Sequence, residues 1–343
     1  MKILELIIDT YIKFGTPISS KTISNLLEDS ISSATIRNEM SILYELGFLE
    51  QPHTSSGRVP SQLGYRLYID KIMKRKPLSE QQINEINSLF NVKNPDYSEL
   101  IKNAGKLLSQ ITKCMTVLSS MVCEALVITK VEVVEVANRT LAIIILTSSG
   151  VIKSKVCKVD FDLNKNTLEF IYKFINNIFA KKSVEEISRN FINSLVSNLV
   201  GYTIFFTPIL YNVFEMCEEL HISSFYIYGQ TNLLEYKELK EIAVDIIKSL
   251  NNNEVISNII NECMEILTEP GRAEVKFGRE LKNEELAKTG VIICRYDIGD
   301  IGIGNILIVG PDRLDYSLLV PWVEYFAKLL SLALSEALKI VWC

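Results

Sequence analysis

The first sixty residues carry three short apolar stripes at helical spacing, the first and third closed by a glycine and the second ending near Asp29, and then a stretch too short for anything but a hairpin. Ile3, Leu4, Ile7, Ile8, Tyr11 and Ile12 give one apolar helix face, ended at Gly15. Pro17-Ile18-Ser19-Ser20 is a turn whose serines can cap a second helix with Ile23, Leu26 and Leu27 inside. A third helix starts at Ser32 or Ser33, runs to Leu46 and stops at Gly47, with Ile36, Met40 and Leu43 on its inner stripe. Phe48–Gln51 and Arg58–Pro60 then predict two short strands around the turn Pro52–Gly57. Three helices and a small hairpin is the order of a winged helix-turn-helix. Leu63–Met73 predicts one more amphipathic helix, and Lys71, Lys74, Arg75 and Lys76 lead to a linker at Pro77.

Farther along, residues 79–120 keep a helical pattern. Strand signals follow at Ala125–Val136, Thr140–Leu146 and Val151–Val159, with Gly150 in a turn. A mostly helical block from about 161 to 222 interrupts them. Strands resume at Phe225–Tyr228, Ala273–Phe277, Gly290–Tyr296 and Ile303–Val309, and a helix over Tyr316–Lys339 closes the chain. A strand series broken by a helical block and then resumed predicts one α/β domain with an insertion. The fold class is therefore α+β and multidomain, in keeping with 343 residues.

Charge divides along the same line. Residues 1–76 hold ten Lys/Arg against eight Asp/Glu, whereas the rest of the chain is net acidic and the whole is at -5. A mildly basic head on an acidic body confines nucleic-acid contact to one module. The seven cysteines are scattered, with no C-x-x-C pair, and the only histidines are His53 and His221, so neither a metal nor a cofactor is expected. Buried thiols in a reducing cytosol are the expectation. Asn190–Phe214 is free of charge, yet its asparagines, serines, threonines and Pro208 make it a buried or subunit-facing segment rather than a membrane span. The N-terminus, with Glu5 and Asp9, has no signal-peptide pattern, and a cytoplasmic protein off the membrane is expected.

With Ile36, Met40 and Leu43 buried, Thr35, Arg37, Asn38 and Ser41 face outward near the start of the third helix. That end enters the major groove in helix-turn-helix proteins. Arg37 can take the O6/N7 edge of guanine with two bonds, and Asn38 can do the same on adenine. Ser32 and Ser33 can hold a phosphate with hydroxyl and backbone N–H groups, and Lys21 can add another phosphate contact. The hairpin loop offers His53, Thr54, Ser55 and Arg58 to phosphate or to the minor groove.

Two other classes are weaker. An enzyme needs a nucleophile with its base, paired acids or a metal cluster, and neither histidine has a visible partner. Gly299–Gly304 is glycine-rich but lies between two strand patterns and reads as a hairpin turn, not a nucleotide-binding fingerprint. A small-molecule sensor would want a pocket near Tyr226, Tyr228 and Tyr296; an ordinary aromatic core explains the same residues.

Ser32–Met40, Leu46–Leu49, Gln51–Pro60, Gly64-Tyr65-Arg66 and Tyr68-Ile69-Asp70 together closely resemble the heat-inducible transcription repressor family HrcA. Tyr228–Leu234 resembles that family's G-Q-x-N-L-L segment, and Gly302–Gly304 with Ile308–Tyr316 resembles its G-x-x-G-P-x-R-x-D-Y segment. The resemblance covers nearly the whole chain. It implies a bacterial cytoplasmic repressor of heat-shock chaperone operons, acting as a homodimer on double-stranded DNA at an inverted repeat called CIRCE. It implies help from the chaperonin GroEL, whose titration by unfolded clients under stress leaves the operon derepressed. It also implies a GAF-like regulatory domain carrying an inserted dimerising domain. Expected boundaries are 1–76 for the winged helix-turn-helix, 77–160 with 223–343 for the GAF-like domain, and 161–222 for the inserted dimerisation domain. Residues 161–222 show little match to the family, and Asp312 and Leu314 stand where other residues are common.

Overall fold

The computed structural model describes residues 1–28, 30–52, 57–90, 97–119, 126–148, 151–199, 203–221, 225–264, 269–297 and 302–341. Its elements in chain order are α1 (Lys2–Phe14), α2 (Ser20–Leu26), α3 (Ser33–Glu45), β1 (Leu49–Glu50), β2 (Val59–Pro60), α4 (Gln62–Leu67), α5 (Glu80–Phe90), α6 (Tyr97–Thr112) and β3 (Met115–Ser119). There follow β4 (Ile128–Ala137), β5 (Thr140–Thr147), β6 (Ile152–Lys158), α7 (Lys165–Phe179), α8 (Arg189–Asn198) and α9 (Thr203–His221). The chain ends with β7 (Phe225–Tyr228), α10 (Ala243–Leu250), α11 (Asn253–Met264), β8 (Ala273–Phe277), β9 (Thr289–Asp297), β10 (Ile303–Pro311) and α12 (Tyr316–Val341). The protein is thus mixed helix and sheet. It forms two compact units: Met1–Ser119 with Phe225–Asp297 and Asn305–Ala333, and Ser120–Ser224 with Ile298–Gly304 and Leu334–Cys343.

In the first unit, the head is set by caps and stops. Ser19 accepts from the Thr22 N–H at the start of α2, Ser32 from the Thr35 N–H at the start of α3, and Ser61 from the Gly64 N–H at the start of α4. α1 ends where Gly15 turns left-handed at φ 63° and returns its N–H to the Tyr11 carbonyl. Leu4, Ile7, Ile8, Ile18, Ile23, Ile36, Met40 and Leu49 are buried beneath these helices. α4 continues into a π turn over Tyr68–Ile72.

The body of this unit is a five-stranded sheet in the order β7-β3-β10-β9-β8. β3 is antiparallel to both β10 and β7, and β8 is antiparallel to β9. Met115, Val117, Val291, Ile293, Leu307 and Val309 point to one face and pack with Ala243, Ile246 and Leu250 of α10 and Ile256, Ile259 and Cys263 of α11. On the other face α6 lies close to β3 and β7: a Cβ at Gly105 would meet Tyr228 at 2.4 Å and Leu118 at 3.0 Å. α12 meets α5 through Phe326 and Phe90, whose ring centroids are 5.4 Å apart. Tyr316–Glu336 is long and apolar enough to cross a membrane by length and composition alone, but half of that segment is buried inside the structure.

The second unit is a three-stranded antiparallel sheet, β4-β5-β6, packed with α7, α8 and α9. Val131, Val133, Leu141, Ile143 and Ile145 share one core with Ile171, Ile175, Phe179, Ile192, Phe206, Ile209 and Val213. Phe174 and Phe206 stack with centroids 4.1 Å apart. The charge-free segment expected to be buried supplies Ile192, Phe206, Ile209, Leu210 and Val213 to that core. Asn176 donates to the Val131 carbonyl at 2.5 Å and accepts from its N–H at 2.9 Å, which satisfies backbone groups on the edge strand β4.

Two sequence expectations differ from this structure. Met115–Ser119, placed in a helical stretch, is the strand β3, buried at every position. Residues 128–158, placed with the 77–160 segment of the body, form a separate sheet that shares its core with α7–α9. The cause is amphipathic pairing: the inner face of β4–β6 shares one apolar core with α7, α8 and α9. The five described cysteines, Cys114, Cys157, Cys217, Cys263 and Cys294, are free and buried. Burial pushes the Cys114, Cys217 and Cys294 thiols up to about 12, so they stay protonated and unreactive.

Candidate nucleic-acid interface

α3 presents its polar side to solvent. Ile36 and Met40 are buried, Leu43 is half-buried, and Thr35, Arg37, Asn38, Glu39 and Ser41 are exposed. The stripe read from the sequence is therefore the one that packs. At about 100° per residue, Ala34, Asn38, Ser41, Ile42 and Glu45 point most directly away from the core, and Arg37 lies on the flank shared with Tyr44. Ala34 and Ile42, absent from the sequence-based site, belong to that outward face and suit apolar contact with a thymine methyl. Ser41 donates to the Arg37 carbonyl at 3.1 Å, so its hydroxyl retains only acceptor capacity while that bond holds.

The start of α3 is ordered by hydroxyls. Ser32 Oγ accepts from the Thr35 N–H at 3.1 Å and lies 2.9 Å from Thr35 Oγ1. Ser33 Oγ sits 3.0 Å from Ser20 Oγ and is half-buried, tying the first turn of α2 to the first turn of α3. Ser24 in turn donates to the Ile31 carbonyl at 2.9 Å, fixing the turn between the helices. Lys21 is exposed on α2, just after the Ser19 cap. Lys21, Thr35, Arg37, Asn38 and Ser41 are thus brought to exposed positions on one pair of adjoining helices. Ser33 is half-buried against Ser20.

The hairpin is short and tight. Leu49 pairs with Pro60 and Glu50 with Val59, and a further bridge joins Arg58 to Ile18 in the turn before α2. Two backbone bonds make that bridge, Ile18 N–H to the Arg58 carbonyl at 2.8 Å and Arg58 N–H to the Ile18 carbonyl at 2.9 Å. A Cβ on Gly57 would sit 2.4 Å from the Ile18 carbonyl oxygen, so the bridge demands glycine there. The Arg58 guanidinium carbon lies 4.7 Å from the centroid of the Tyr44 ring on α3. Its Nε is buried and has no hydrogen-bond partner among the described residues. Arg58 is thereby held against the third helix, on the flank that carries Arg37. The sequence named Arg58 but not Tyr44. His53, Thr54 and Ser55 lie outside the described residues.

Two of the aromatic residues considered for a small-molecule pocket have other partners. Tyr296 is fully buried and donates to the Ser119 carbonyl at 2.7 Å, and Tyr228 lies against Gly105.

Comparison with known proteins agrees with the sequence motifs. The family model described as the HrcA protein C-terminal domain matches residues 98–320. The heat-inducible transcription repressor HrcA of Acetivibrio thermocellus is 31% identical over 326 residues, 94% of this chain and 92% of that protein. The protein of the same name from Ruminiclostridium cellulolyticum is 31% identical, covering 99% of this chain and 97% of its own. That of Clostridium perfringens strain 13 is 32% identical, covering 99% and 98%. A solved structure titled only as a hypothetical protein superposes with a TM-score of 0.62 at 24% identity over 98% of both chains, a likeness of fold. The chain belongs to the HrcA family of heat-inducible transcription repressors.

Proposed function

We propose that two copies of this chain bind an inverted-repeat operator, CIRCE, upstream of chaperone operons, each placing α3 in a major groove. Negative regulation of heat-shock transcription is the family's role; the operator, the dimer and the geometry are this reading's own. The observation that carries it is the solvent-facing surface of α3, where Asn38 and Ser41 point outward and Thr35 and Arg37 stand exposed on its flanks behind the hydroxyl cap of Ser32. The head is a winged helix-turn-helix over residues 1–76, with β1, β2 and the Ile18–Arg58 bridge as the wing. The five-stranded sheet, with helices on both faces, is the GAF-like body. The inserted dimerising part is larger than 161–222 and takes in β4–β6. Its outer sheet face supports this. Val134, Ala142 and Val156 stand in one cross-strand row, Ile152 lies farther along β6 on the same face opposite Leu146, and Val134, Ile152 and Val156 are 48%, 65% and 63% exposed. An apolar face of that kind suits a second copy. Work in the cytoplasm, with GroEL as the partner that keeps the repressor active, follows from the same reading.

Hydroxyl-radical footprinting on a chaperone-operon inverted repeat tests it. Two protected patches related by the repeat's dyad, centred about one helical turn apart or a multiple of it, are expected. A single patch, or protection without regard to sequence, contradicts it.

A further inference from the structure

The head and the sheet body meet within the first unit through an aromatic cluster and a set of charged bonds. Tyr65 of α4 packs on Phe277 of β8 and Tyr316 of α12, with centroids 5.8 and 6.3 Å away. Beside this cluster Arg66 of α4 pairs with Glu280 at 2.5 Å and donates to the Val275 carbonyl at 2.7 Å, and Arg75 and Lys76 pair with Glu324 and Asp315, so α4 and the segment after it are tied to the body. Two consecutive residues in the turn between β10 and α12 extend that hold to a second helix of the head. Asp312 accepts from Gln62 Nε2, the first residue of α4, at 3.1 Å on each carboxylate oxygen, and the same amide donates to the Ala287 carbonyl at 2.7 Å. Arg313 reaches a different helix of the head. It donates to the Ile12 carbonyl at 3.3 Å, in the last turn of α1, where carbonyls lack helical partners. Its guanidinium fills the space beside Gly15, where a Cβ would come within 3.0 Å of Nε. On the body side it pairs with Glu238 and lies over the Tyr236 ring, 5.6 Å from the centroid.

We infer that the Asp312-Arg313 pair is a positioning latch: by gripping α4 and α1 at once, it fixes the angle of the winged head on the body, and through that angle the half-site spacing a dimer can read. The inference rests on the proposed dimeric operator binding. Neither residue touches the outward face of α3, so the latch acts on spacing and not on base contact. A half-site engages one head and is indifferent to the angle. An inverted repeat engages two, and rewards only the angle that matches its spacing.

The test compares wild type with Arg313→Ala and with Glu238→Gln, which removes the charge facing Arg313 and keeps the side chain's shape. Fluorescence anisotropy at low salt measures three duplexes: a single half-site, the inverted repeat, and the repeat with its spacer lengthened by two base pairs. Expected for both variants is unchanged half-site affinity, at least tenfold weaker binding to the natural repeat for Arg313→Ala, a smaller loss for Glu238→Gln, and a natural-to-lengthened preference reduced at least threefold. Full retention of the spacing preference in both overturns the inference, as does an equal loss on half-site and repeat, which marks a damaged head. A wild type that binds half-site and repeat alike overturns the dimeric reading itself and the latch with it.

Discussion

Arg58 on the hairpin stacks over Tyr44 on the third helix, its guanidinium carbon 4.7 Å from the ring centroid. The hairpin and the third helix are therefore joined by a cation–π contact as well as by backbone. Arg58→Ala should reduce the salt slope of operator binding by about one, as expected for a lost phosphate contact. Tyr44→Leu leaves the charge in place but loosens it, and should weaken binding by about 0.5–1 kcal/mol with the slope unchanged. Anisotropy over a salt series separates the two; equal slopes for wild type and Arg58→Ala would remove Arg58 from the interface.

Arg37 and Asn38 are exposed on α3, Arg37 on the flank that faces the hairpin's Arg58 and Asn38 directly outward. Each alanine substitution should cost about 1–3 kcal/mol in operator affinity and relax the preference at one base pair. Binding to a panel of single-base operator variants checks this. A loss of the same size on every sequence would make the residue a phosphate contact.

Gly64 has no room for a side chain, because a Cβ would lie 2.2 Å from the Phe48 carbonyl oxygen. Gly64→Ala must push α4 off the segment that enters β1, and should destabilise the protein by about 1–3 kcal/mol. Thermal melting reads the change; an unaltered midpoint would show that the two segments move apart freely.

Asp312 is held at about 6 by burial, against its ordinary 3.8, with the Gln62 bond and Arg279 acting the other way. The folded state thus binds this proton more tightly than the unfolded chain. The resulting stability is fully present below the unfolded value and is lost as pH rises through the folded one. Between pH 7 and 4, wild type should gain up to about 3 kcal/mol relative to Asp312→Asn. The asparagine can donate to Gln62 Oε1, which is buried without a partner. Denaturant unfolding of both proteins across that range checks the sign, and parallel pH profiles would contradict it.

Val156 stands exposed on the outer face of the three-stranded sheet, in the row shared with Ala142 and Val134. Val156→Glu should weaken self-association at least tenfold while leaving the melting midpoint nearly unchanged. Sedimentation equilibrium measures it; an unaffected dimer would move the interface elsewhere.

Much of the head was legible because its signals are local. Serine caps, glycine stops and the Ile36–Met40 stripe lie within one helix each, and the structure packs them as spaced. Tyr44 escaped notice because it sits between the buried stripe and the outward face, and its value depends on Arg58 arriving from the hairpin. β3 was hidden because a strand buried on both faces, Met115–Ser119, shows no alternation and follows directly on the helical stripe of α6. β4–β6 were legible as strands but not as a separate sheet, since alternation tells which face is buried and not what covers it. The bond from Gln62 to Asp312 joins residues 250 positions apart. No periodicity records such a contact.

The central claim is that this head reads a specific operator. The most direct measurement is anisotropy of the intact protein with a labelled chaperone-operon inverted repeat against a scrambled duplex, at two salt concentrations. The account predicts a preference for the repeat of at least about a thousandfold, with both affinities falling as salt rises. Equal binding of folded protein to the two duplexes would contradict it.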